Sequence, residues 1–157
     1  MTADRQRVAE RIRVAFRGVT LGNGVGLRQG QGLDDYADFR TLADYREKDE
    51  KTDWSRIPIS ELNDCYSSLS FFDAEGLRFH LPAYIIADLE GTLDGDILWT
   101  LTAAESGRMR FAILNESQRR AVREFLLIRL EQRREDECHD PGLEEAIHGY
   151  WADLHPS

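Results

Sequence analysis

Residues 73–91 read DAEGLRFHLPAYIIADLEG, and the parsing of this stretch decides the fold. Asp73-Ala-Glu-Gly76 has the composition of a turn. Leu77, Phe79 and Leu81 then alternate with Arg78 and His80, the two-residue period of a short strand. Pro82 lacks an N–H and suits the first position of a new helix, which carries Tyr84, Ile85, Ile86 and Leu89 and ends at Gly91. On this reading Arg78 and His80 face away from the core together.

Upstream, Leu62, Cys65, Tyr66 and Leu69 fall on one face of a helix that Ser60 is placed to cap, after Trp54, Ile57 and the helix breaker Pro58. A first helix is expected over residues 3–17, with Val8, Ile12, Ala15, Phe16 and Val19 as its apolar stripe and Thr2 as its cap. The glycine-rich stretch 18–32 follows. Its Asn23-Gly24 pair lies between Val19/Leu21 and Val25/Leu27, the pattern of a small hairpin or an irregular loop. Downstream, Ile97, Trp99 and Leu101 alternate, as do Met109, Phe111 and Ile113, so a second hairpin is expected with 103–107 between its strands. Residues 116–134 give the clearest helix, with Asn115 and Gln118 forming a capping box. Asp140 and Pro141 open a last one, whose stripe is Leu143, Ile147, Tyr150, Trp151 and Leu154. The expected fold is α+β and helix-dominated: about five helices around one core with one or two small β-hairpins, in a single domain over 1–157.

Composition narrows the function. The formal charge is −9, and residues 33–96 alone carry 16 acids against six bases. Nucleic-acid binding needs a basic footprint, which argues against that class. No run of apolar residues approaches the length of a membrane span, and residues 1–16 have no secretory pattern, so the expectation is a cytoplasmic protein. Cys65 and Cys138 do not make a disulfide framework.

Candidate chemistry is sparse. Gly24-Val-Gly26 lacks the third glycine of a dinucleotide loop and follows a helix, so the stretch reads as a connector. Cys138, His139, Asp140, Glu144 and His148 include metal-compatible donors, but none has paired zinc-ligand spacing; no metal and no cofactor is expected. His139, His148 and His155 read as surface residues. His80 sits in the most apolar segment, where Arg78 and Asp73 are its candidate partners in a His–carboxylate site. The sharpest cluster is acidic: Asp34, Asp35, Asp38, Asp44, Glu47, Asp49, Glu50 and Asp53, with Tyr36, Phe39 and Trp54 as aromatic anchors among them. Carboxylates around aromatic anchors suit a basic protein partner. A solvated helix face is the bland alternative, and Lys48 and Lys51 interrupt the run.

The segment YSSLSFFDAEGLRFHLPAY (66–84) resembles a family of small bacterial proteins of unknown function that share an aromatic-Asp-x-x-Gly-x-Arg-Phe-x-Leu-Pro-Ala-Tyr core. Leu114-Asn-Glu-Ser-Gln118, running on to Phe125-Leu126, resembles a second feature of that family. The resemblance implies one domain and brings no activity, cofactor or catalytic residue. Arginine outnumbers lysine by 18 to two, as in proteins from GC-rich bacterial genomes.

These observations point to a non-enzymatic acidic interaction protein, in its most specific form an immunity-type protein that neutralises a basic bacterial toxin. The alternative is a small enzyme with a His–carboxylate site around His80, Arg78 and Asp73.

Overall fold

The computed structural model describes residues 1–103 and 108–152. Among them every regular element is a helix and none is a strand. The order is α1 (Ala3–Ala15), α2 (Leu27–Asp34), α3 (Phe39–Lys48), a 3-10 turn (Trp54–Arg56), α4 (Ile59–Asp64), α5 (Ser68–Phe71), α6 (Ala74–Glu90), α7 (Leu98–Leu101), a second 3-10 turn (Met109–Ile113), α8 (Glu116–Glu135) and α9 (Pro141–His148). None of these helices is long and apolar enough to cross a membrane.

The expected α+β architecture with its hairpins is therefore corrected to an all-helical one. Residues 77–81 are not a strand but the second and third turns of α6. Eleven of the 17 residues of α6 are buried, so it has no polar face to reveal a helical period. Pro82 does not start a helix; it lies inside one. It removes the hydrogen bond to the Arg78 carbonyl. The Asn23-Gly24 pair makes a turn closed by the Gly24 N–H donating to the Leu21 carbonyl, and the chain enters α2 three residues later. Residues 98–101 form a helical turn that buries Leu98 and Leu101 and swings Trp99 outward, while 109–113 tighten into the second 3-10 turn. The expected hairpin loop over 104–107, Leu154 and His155 lie outside the described residues.

α6 is the axis of the molecule. α1, the Trp54–Arg56 turn and the Met109–Ile113 turn pack on it; α8 packs on α1, and α9 on α8. α2 packs on α3 and α5. At the start of α6 the Asp73 carboxylate accepts hydrogen bonds from the Gly76 N–H and the Val25 N–H, each 2.9 Å. At its end Gly91 takes the left-handed conformation (φ 75°), and the Thr92 N–H donates to the Ala87 carbonyl at 2.9 Å. On the far side Asp88 meets Arg129 of α8 at 2.5 Å, and both side chains are largely buried. Burial pushes the Asp88 carboxyl up, and Arg129 pulls it back. Arg5 of α1 donates to the Leu89 carbonyl and to Gln132, joining α1, α6 and α8.

The glycine-rich stretch is a packing device and not a slack connector. A Cβ at Gly24 would stand 2.6 Å from the Gly76 nitrogen, and one at Gly76 would stand 2.6 Å from the Val25 carbonyl oxygen. The two glycines let the loop lie directly on the first turn of α6. Arg46 of α3 holds the loop from outside by donating to the Gly22 and Gly24 carbonyls.

Gly24→Ala therefore forces backbone apart from backbone. The expected loss is about 2 kcal/mol or more of folding stability, read as a lower urea midpoint; an unchanged midpoint would show that the loop does not pack as described.

Candidate functional site

Some carboxylates of the acidic stretch 34–53 hold the backbone, others face solvent, and Asp38 does both. Asp38 accepts from the Thr41 N–H at 2.8 Å and starts α3, and this bond keeps its carboxyl below the usual range. Asp49 is buried beneath Gly26, where a Cβ would come within 2.2 Å of its carboxylate. It accepts from the Arg28 and Gln29 N–H groups at 2.9 and 3.1 Å, so it caps α2 from across the chain. Burial pushes the Asp49 carboxyl up, and those two bonds oppose the push. Glu50 gathers the N–H groups of Thr52, Asp53 and Lys51, and Asp53 accepts from the Ser55 hydroxyl and N–H; these bonds lower both carboxyls. Trp54 is 7% exposed and donates its indole N–H to the Phe16 carbonyl at 2.9 Å, so it belongs to the core.

Other side chains of the stretch face solvent. Asp44 pairs with Lys48 at 3.0 Å, and Glu47 is exposed beside them. Asp35 and Asp38 are exposed and Asp34 is half-buried around the α2–α3 turn. In that turn Tyr36 is 96% exposed and Phe39 is 86% exposed. Leu33 adjoins them at 37%. Tyr66, Trp99 and Met109 are exposed elsewhere, but none has a second exposed aromatic within three residues or a similar ring of carboxylates in sequence.

Tyr36 is held in an unusual backbone state. The Ala37 N–H donates to the Gly32 carbonyl at 2.9 Å, and the Tyr36 N–H to the Leu33 carbonyl at 3.3 Å. These two bonds make the helix-ending motif that also closes α6, where the left-handed residue is Gly91. In α2 that residue is Tyr36, with φ 56°. A left-handed non-glycine residue costs about 1–2 kcal/mol, and the Tyr36 side chain buries nothing that offsets it. Nothing in the sequence marked Tyr36 as this residue, because glycine or asparagine is the usual occupant.

His80, Arg78 and Asp73 do not form an open site. Residues two apart on a helix point in nearly opposite directions, so Arg78 is half-buried while His80 is 0% exposed. The His80 ring stacks on Phe72 (centroids 4.3 Å apart, planes within 1°) and meets Phe79 edge-on at 4.9 Å. Its Nδ1 lies 2.6 Å from the Gly76 carbonyl oxygen, which fixes the proton on Nδ1, and its buried Nε2 has no hydrogen-bond partner. Burial lowers the His80 pKa to about 4. Asp73 is occupied at the head of α6. His80 is thus closed to any substrate in this conformation. Cys65 is also buried, and its thiol is pushed up to about 11, far from a reactive thiolate. Among the described residues no group of three or more His, Cys, Asp or Glu side chains is placed to hold a metal ion.

Residues 4–155 match a family of unknown function (DUF6714), and the chain belongs to that family. No curated protein and no solved structure matches it.

Two outcomes test this geometry. The unfolded chain takes up a proton on His80 near pH 6.5, and the folded chain only near pH 4. Stability is therefore full above pH 6.5 and falls as the pH drops toward 4, by about 3 kcal/mol. Urea unfolding should show this loss in the wild type and a smaller one in His80→Phe, which keeps the ring but not the titration; identical pH profiles would refute it. Separately, Tyr36→Gly should raise stability by about 1 kcal/mol, and a destabilised variant would show that the Tyr36 ring has a structural role.

Proposed function

We propose that the chain is a non-enzymatic acidic interaction protein that binds a basic protein through the α2–α3 turn. The observation that carries this reading is the pair Tyr36 and Phe39, both nearly fully exposed, with Asp34, Asp35 and Asp38 around them. Large aromatic side chains left in water within a charged rim have the composition of an interface hot spot. The excess of acids over bases in residues 33–96 favours a partner rich in Lys and Arg and speeds its approach.

In its most specific form the reading is an immunity-type protein of the bacterial cytoplasm that neutralises a basic toxin. Its small size, its acidity and its lack of a recognisable catalytic motif support that form. The enzyme alternative has less behind it, since His80 is enclosed and Asp73 is committed to a helix cap.

The test is capture by the immobilised wild type and by Tyr36→Ser/Phe39→Ser, from cells that naturally produce the chain, at about 0.1 M and about 0.5 M salt. Strongly basic proteins should be retained by the wild type at low salt, released at high salt and lost by the double variant. Retention of the same proteins by both forms would exclude the α2–α3 turn as the contact surface.

A further inference from the structure

The turn between α2 and α3 carries more information than a negative charge. It offers two aromatic rings three residues apart, and at 96% and 86% exposure both rings have their faces open to solvent. The nearby carboxylates are partly engaged. Asp38 Oδ1 accepts from the Thr41 N–H, and Asp35 Oδ1 accepts from Gln31 Nε2 at 3.3 Å. Both residues are exposed, so their carboxylates face the solvent from which a cation would approach. Arg40 adds a positive charge beside Phe39, so the local excess over residues 34–40 is three acids against one base.

From this geometry we infer that the turn selects arginine over lysine in its partner: it takes a guanidinium laid on the Tyr36 or Phe39 ring and paired with the carboxylate of Asp35 or Asp38. The inference rests on the interaction reading above and narrows its partner to an arginine-bearing segment. An ammonium is compact and strongly hydrated, and it gains little from a ring that stays wet. A guanidinium is planar and weakly hydrated, so it stacks on an aromatic face while its edge reaches a carboxylate. A carboxylate attracts either cation, whereas an open ring face favours the guanidinium, so the ring faces become the discriminating element.

The protein uses the same chemistry inside itself. The Arg119 guanidinium carbon lies 4.6 Å from the Tyr150 ring centroid and 5.1 Å from that of Trp151, and Arg108 lies 5.7 Å from Tyr150. Two neighbouring aromatics there hold one guanidinium against both rings. Tyr36 and Phe39 each present an aromatic face of the same kind to solvent.

The experiment uses the full chain and two synthetic peptides of equal length and charge, one alternating Gly with Arg and the other Gly with Lys. Binding is followed by NMR shifts of the residue 33–40 amides. The arginine peptide should bind about threefold to tenfold more tightly, with its largest shifts at residues 33–40. In Tyr36→Leu/Phe39→Leu, which keeps apolar bulk but removes the rings, the two peptides should bind alike. Asp35→Asn should weaken both peptides by a similar factor and preserve their ratio. Equal affinity of the two peptides for the wild type, with shifts at the turn, would overturn the arginine inference and leave the basic-partner reading standing. Shifts confined to other surfaces, or no binding of either peptide, would overturn both.

Discussion

The Asp73 carboxylate is the interaction on which the rest depends. One oxygen accepts from the Gly76 N–H, which starts α6, and from the Val25 N–H, which brings the glycine-rich loop onto that start. Everything near the candidate surface is positioned from there. The loop lies against α6 only because Gly24 and Gly76 have no side chains at their contact. Directly after it α2 begins, capped by the buried Asp49. α2 then ends at the strained Tyr36, and α3 returns to supply Asp49 and the Arg46 clamp. Helix capping, loop docking and presentation of the two aromatics form one connected chain of contacts.

This arrangement gives the acidic stretch two kinds of work. Asp38, Asp49, Glu50 and Asp53 satisfy backbone N–H groups that a short helix or turn would otherwise leave open. Asp34, Asp35, Asp44 and Glu47 stay at or near the surface. A charge run read along the chain therefore overstates the binding surface, because half of its members are structural. The aromatics divide in the same way, with Trp54 in the core and Tyr36 and Phe39 outside.

Much of this was legible in the sequence where local chemistry decides structure. Thr2, Asn115 with Gln118, and Asp140 with Pro141 each mark a helix start that the structure contains. The strands were misread where tertiary burial decides. Leu77, Phe79 and Leu81 alternate with residues that burial also claims wholly or in part, so α6 shows no polar face and imitates a strand. Ile97 to Leu101 is too short for its period to separate a strand from one helical turn. The exposure of Tyr36 and Phe39 could not be read from spacing at all; it follows from the helix-ending bonds between residues 32 and 37, which a tyrosine in place of glycine conceals.

The central claim is that this turn, and not some other exposed aromatic, is where the protein meets its partner. Site-specific photo-crosslinking tests it most directly, with a photoreactive phenylalanine placed in turn at position 36 and at position 99, where Trp99 is 72% exposed on another element. The account expects a discrete adduct with a basic protein from position 36 and none from position 99. Adducts from position 99 alone, or the same adducts from both, would contradict it.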